Sequence, residues 1–265
     1  MKIYWQSFVD ASASAPYLER LTAYLNEIAA PGTTVHVAGV SPPDRDFGRL
    51  SELRCAIVAI DNGIAAADAG FDAYVMGHFQ DPGLYELRAA IDIPVIGVGE
   101  STLFAAAQLG RRLGLVTLDP AFEVWHLEQA ERYGLNGRVT HVTGLGCQPQ
   151  DFSAAFAGDD AARRRMLADF TACARPMVEA GADVIVPAGV LPGLLVGGEH
   201  GFTVGHAPVV NCAAVGLKSA EMWVQLRRLN GLAPSRGPSF ALAPQRARDD
   251  FRRLMREGRL GQSAP

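Results

Sequence analysis

The sequence predicts an α/β protein of two pseudo-symmetric halves, each a three-layer αβα sandwich on a parallel sheet, with an active-site cleft between them. Two observations carry this expectation. Short, wholly apolar runs alternate with longer amphipathic segments, the pattern of parallel strands covered on both faces. Part of the chain is also repeated: AGFDAYVMGH (69–78) lies on AGADVIVPAG (180–189), and, in the same order, IPVIGVGE (93–100) lies on APVVNCAA (207–214). The match pairs Asp72 with Asp183, Pro94 with Pro208 and His78 with Gly189. Duplicated α/β units place the carboxyl ends of their strands into a shared crevice.

Taken in order, KIYWQSF (2–8) reads as a strand, and 18–29 has the apolar spacing of a helix. TVHVAGV (34–40) is a strand, and 51–70 is a long helix. Next come a strand at 72–79, a helix starting near Asp81, a strand at 93–100 and a helix at 103–109. The pattern resumes with LGLVTL (113–118), a helix over 123–133 and RVTHVTG (138–144). A long helix over 160–180, a strand at 183–190, a strand at 208–213 and a helix at 217–229 follow. Residues 1–110 form the first half, completed by the C-terminal helix and tail (about 214–265), and 111–213 form the second. The tail from Ala233, rich in Pro, Ser and Arg, is expected to wrap the surface before a short final helix.

Composition narrows the function. Of 265 residues, 49% are hydrophobic and 20% charged, with a formal net charge of −4. Apart from Arg163-Arg164-Arg165 and a basic tail there is no cationic stripe, which argues against a nucleic-acid partner. No apolar run approaches the roughly 20 residues that span a bilayer, so no membrane partner is expected. Four scattered cysteines (Cys55, Cys147, Cys173, Cys212) form no CxxC pair, and the start carries no signal peptide. A reducing cytoplasm is the natural setting.

The chemistry centres on His78, at the carboxyl end of its strand, where open α/β folds hold ligands. Asp81 is expected to N-cap the next helix, with Pro82 in its first turn, leaving backbone N–H groups beside His78 for a carboxylate. The alternative is a structural histidine at a strand end.

The run GFDAYVMGHFQDPGL, then IPVIGVGES, LGLVTL, GADVIVPAG and APVVNCAAVGLKSAE, resembles the aspartate/glutamate racemase superfamily in its hydantoin racemase-like branch. The resemblance covers the chain to about Gly237. It implies no cofactor, no metal, and two cysteines flanking the substrate α-carbon, one taking a proton and the other returning it. Here the first cysteine position is His78 and the second falls at Gly189, so both catalytic cysteines are replaced and a symmetric two-thiol reaction is excluded. Cys212 is the one cysteine placed near a strand end beside the cleft; Cys55 and Cys173 read as core. The resemblance further implies that Gln6, Ser7, Phe79, Gln80, Thr117 and Gly189 line the cleft. Glu100, ending the fourth strand, would orient His78 or act as a base. Thr117 and Ser7 as helix caps, and Glu100 as a first-turn acid, are the structural alternatives.

The Gly-rich segment GGEHGFTVGH (197–206) stands where a helix is expected between the last two strands. Its Glu199, His200 and His206 read first as incidental residues of a solvated loop, and otherwise as a second base, a lid over the substrate with His200 touching it, or zinc ligands with His78. The leading expectation is a cofactor-independent racemase or isomerase acting at the acidic carbon of a carboxylate or hydantoin-like substrate, with His78 as acid/base. A one-sided decarboxylase or lyase, a metal-dependent hydrolase using His78 and the 199–206 loop, and a non-catalytic binding homologue are the alternatives. Members of the superfamily often assemble, so a homo-oligomer is compatible with the resemblance.

Overall fold

A computed structural model of the chain describes residues 1–10, 14–42 and 47–260. The first sheet runs through β1 (Lys2–Asp10), α1 (Ala15–Ile28), β2 (Thr34–Val40), α2 (Arg49–Asp68), β3 (Ala73–Gly77), α3 (Leu84–Ala90), β4 (Val95–Gly97) and α4 (Val98–Leu109). The second runs through β5 (Leu113–Thr117), α5 (Glu123–Arg132), β6 (Val139–Gly144), α6 (Ser153–Phe156), α7 (Asp160–Glu179), β7 (Val184–Pro187) and α8 (Val190–Gly197). A small hairpin of β8 (Thr203–Val204) and β9 (Ala207–Pro208) precedes α9 (Cys212–Asn230) and α10 (Gln245–Leu260).

The strand order is β2-β1-β3-β4 in one sheet and β6-β5-β7 in the other, with every neighbour parallel. A lone parallel bridge from Val209 to Ile185 stands where β4 stands in the first sheet. The central strands are legible because they are apolar throughout: AYVMG, LGLVT and VIVP are buried at every position. One continuous cluster of buried side chains joins Trp5 and Val75 of the first sheet to Leu115 and Val186 of the second, so the halves share a core. Helix α9 packs on α4, β3 and β4, and α10 packs on α2. Residues 261–265 of the expected tail lie outside the described residues.

Four local expectations change. The fourth strand is only Val95–Gly97, and the chain turns into α4 at Val98. What ends it is remote: the Asp81 carboxylate accepts from the N–H of Gly99 (3.0 Å) and of Glu100 (2.6 Å), capping α4. Asp81 therefore does not cap the helix after it; that helix starts at Leu84, with Gly83 at its N-cap. The run 208–213 is not a full strand, because Asn211 caps α9 by accepting from Ala213 and Ala214 N–H, which puts Cys212 at the start of a helix. Finally, a helix does follow β7: α8 occupies 190–197, and the rest of the Gly-rich segment forms turns and the β8–β9 hairpin.

Candidate active site

A cleft of about 520 Å³ opens at the carboxyl ends of β1, β3, β5 and β7. A larger groove of about 860 Å³ lies behind it, between α2, α3, α5 and α10. The smaller cleft is the candidate site, because both sheets deliver strand ends into it. Ser7, His78, Phe79, Gln80, Thr117 and Gly189 all line it. Gln80 also faces the rear groove.

His78 follows Gly77, where no larger residue fits. A Cβ there would stand 2.3 Å from Trp5 Nε1 and 2.5 Å from the Gln6 carbonyl oxygen. The imidazole stacks on Phe8, with ring centroids 4.6 Å apart. Its Nε2 stands 3.4 Å from Glu52 Oε1, an atom shielded from water and without a hydrogen-bond partner among the described residues. Glu52 lies in the first turn of α2, where the helix dipole favours a carboxylate. The pair is an ion pair whenever His78 is protonated.

Across the cleft, Gly189 has extended backbone, and a Cβ on it would meet Pro192 Cδ at 3.2 Å and Leu118 Cδ1 at 3.6 Å. Helix α8 begins beside it at Val190, and no side chain caps that helix. Ser7 stands beside the hydroxyl of Tyr17, which also lines the cleft. Thr117 Oγ1 lies 3.0 Å from His126 Nε2 and 3.4 Å from the Ala188 carbonyl. His126 Nδ1 in turn lies 3.1 Å from Gln129 Oε1. Burial holds His126 down at about 4, outweighing the hydrogen bond with Gln129.

Asp81 anchors this network. It is the one non-glycine residue with positive φ (53°) among those described. Besides capping α4, its Oδ2 accepts from Tyr133 Oη (2.8 Å) and Gln129 Nε2 (3.3 Å). Burial pushes its carboxyl up to about 7, although Tyr133 and the two amides pull the other way.

Several residues expected at the site stand elsewhere. Gln6 is buried beneath the cleft: its amide donates to Ser7, Ala38 and Gly39 carbonyls and accepts from Asn62, which ties β1 to β2 and α2. Glu100 sits in the first turn of α4 and holds Arg88 through both carboxylate oxygens, so it does not reach His78. Cys212 is fully buried, its thiol donating to the Gly189 carbonyl at 3.3 Å from behind the cleft wall. Burial pushes that thiol up to about 12, too high to supply a thiolate. His200 and His206 are exposed, and Glu199 pairs with Arg163. Among the described residues no three His, Cys, Asp or Glu side chains converge to hold a metal ion, so the zinc alternative with His78 does not assemble there. No helix among them is long and apolar enough to cross a membrane.

The expectations missed Glu52, Tyr17 and the His126–Gln129 pair. For the last, the signal was present: two polar residues three apart on one helical face, in a segment read only as a helix.

A family model described as Asp/Glu/Hydantoin racemase matches residues 8–218. A hydantoin racemase of Pseudomonas sp. (strain NS671) is 33% identical over 75 residues, which is 28% of this chain and 30% of that protein. Among solved structures, an allantoin racemase from Klebsiella pneumoniae superposes with a TM-score of 0.73 at 22% identity, covering 92% of this chain and 94% of that one. An arylmalonate decarboxylase superposes with a TM-score of 0.52 at 13% identity, over 92% of this chain and 100% of that one. At these identities the structural likeness is one of fold.

Proposed function

The chain belongs to the Asp/Glu/hydantoin racemase family, and from that membership we propose that it is a cofactor-independent isomerase moving a proton at the acidic carbon of a small carboxylate or hydantoin-like molecule. The observation that carries this reading is His78 at the end of β3, lining the cleft between the two sheets, with Glu52 behind it on the side of the rear groove. His78 is the acid/base: an imidazole exchanges protons near neutral pH. Glu52 holds the ring and balances the charge of its protonated form.

Removing the proton places negative charge on a carbonyl or carboxylate oxygen of the substrate. The first N–H groups of α8 have no intrahelical acceptor, and Val190 and Leu191 line the cleft. Those N–H groups, reinforced by the helix dipole, would stabilise the enolate.

Purified protein in heavy water, offered a panel of monosubstituted hydantoins and α-substituted carboxylates, is expected to incorporate deuterium at the acidic carbon and to do so equally after dialysis against a chelator. No incorporation across the panel would remove the reading. Gly189 favours one rival, a one-sided decarboxylation, since it offers no side chain to the second face. Carbon dioxide release from disubstituted malonates without hydantoin inversion would support that rival.

A further inference from the structure

Ser7 and Thr117 hold equivalent places in the two sheets. Ser7 is the last β1 residue paired with β3, opposite Gly77; Val116 of β5 pairs with Pro187 of β7, which sets Thr117 beside Ala188. Each hydroxyl meets one side chain from the helix that follows its strand. For Ser7 the partner is a phenol, Tyr17; for Thr117 it is an imidazole, His126. Of the two partners, only the imidazole can take a proton from a hydroxyl near neutral pH.

The hydrogen-bond chain fixes which way that proton points. Gln129 Nε2 lies 2.5 Å from the Phe79 carbonyl and 3.3 Å from Asp81 Oδ2, both acceptors, so the amide nitrogen is on that side. Its oxygen therefore faces His126 Nδ1. An amide oxygen only accepts, so Nδ1 carries the hydrogen and Nε2 is bare. Thr117 then donates to Nε2 at 3.0 Å in preference to the longer contact with Ala188. Its oxygen keeps its free lone pair for the cleft. This is a nucleophile–base–orienter arrangement, built on the wall where Gly189 leaves no side chain.

We propose that Thr117, with His126 as its base and Gln129 as the residue positioning that base, is the proton-transfer group on the Gly189 side of the cleft, working with His78 on the other. The proposal rests on the function inferred above. As Thr117 Oγ1 takes the proton from the substrate carbon, its own proton passes to His126 Nε2, and the other hydrogen stays on Nδ1, donated to Gln129 Oε1. The C–H electron pair remains on the substrate as the enolate. Protonated His78 then delivers a proton to the opposite face and is left neutral beside Glu52. The reverse reaction runs the same steps backwards, and exchange with water returns both histidines to their starting forms. Burial holds His126 neutral in the resting state, with Nε2 bare, and the same burial makes its protonated form short-lived.

The test uses the full chain with Thr117→Val, Thr117→Ser and His126→Asn, each given both enantiomers of a monosubstituted hydantoin in heavy water. Thr117→Val and His126→Asn should lose inversion by about 100-fold while still exchanging, without inversion, the enantiomer whose proton faces His78. Thr117→Ser should keep inversion within about tenfold of the parent. Inversion unchanged in Thr117→Val, or equal loss of exchange for both enantiomers, would overturn the proposal, the latter by making Thr117 a binding group. Nitrogen NMR of the ligand-free protein should place the His126 hydrogen on Nδ1; a hydrogen on Nε2 would also overturn it. An inert parent protein would sink the function assigned to His78, while the tautomer still decides the Thr117–His126 arrangement.

Discussion

Glu52 reaches from the first turn of α2 to within 3.4 Å of His78 Nε2, with its Oε1 shielded from water. That oxygen accepts no hydrogen bond among the described residues, so its contact with His78 is the interaction that loss of the charge would break. Its removal should therefore be felt in catalysis and hardly in folding. Glu52→Gln keeps the shape and removes the charge, and is expected to lower kcat by roughly 10- to 100-fold with little change in KM. Steady-state kinetics at several pH values, beside a thermal melt, would check it; unchanged kcat would make the pair incidental.

The buried Asp81 and His126 give stability two opposing slopes with pH. Asp81 is raised from 3.8 to about 7, so the folded state holds more protons than the unfolded chain between those values, and stability falls as pH rises through that window. His126 is lowered from 6.5 to about 4, so the unfolded chain holds more protons there, and stability rises with pH. The shifts correspond to roughly 4 kcal/mol for Asp81 and roughly 3 kcal/mol for His126. The parent protein should show a shallow profile between these limits. Asp81→Asn should tilt it upward with pH and His126→Asn downward, as read by denaturant melts; parallel profiles for all three would contradict the assignment.

Cys212 is expected to be silent. Its thiol is buried and held near 12, so Cys212→Ala should leave turnover within about twofold. Thiol-alkylating reagents should likewise leave activity intact. Inactivation that Cys212→Ala abolishes would return this residue to the reaction.

Two glycines should respond very differently to alanine. At Gly99 an added Cβ would stand 1.9 Å from the Phe79 carbonyl oxygen, so Gly99→Ala must push the β3–α3 loop away from α4. A loss of more than about 2 kcal/mol is expected. At Gly189 the nearest atom is at 3.2 Å and φ is extended, so Gly189→Ala should cost under about 1 kcal/mol. Thermal melts of both variants decide it.

The sequence made legible what local pattern controls. Wholly apolar strands announce parallel sheets, and the repeat pairs His78 with Gly189, both of which line the cleft. What it hid depends on partners far apart in the chain. The end of β4 is set by the carboxylate of Asp81, a residue on a different loop. Glu52 looks like any first-turn acid until α2 packs and brings it to His78. Glu100 looked catalytic until Arg88, from the neighbouring helix, claimed it. The misread start of α9 is different: Asn211 before an alanine pair was a visible cap, masked by the apolar run preceding it.

The most direct test of the account is inversion of an enantiopure hydantoin by the parent protein and by His78→Ala, followed by circular dichroism. The account expects the parent to racemise either enantiomer and His78→Ala to lose the rate by about 100-fold or more while melting like the parent. Inversion at the parent rate in a folded His78→Ala protein would contradict it.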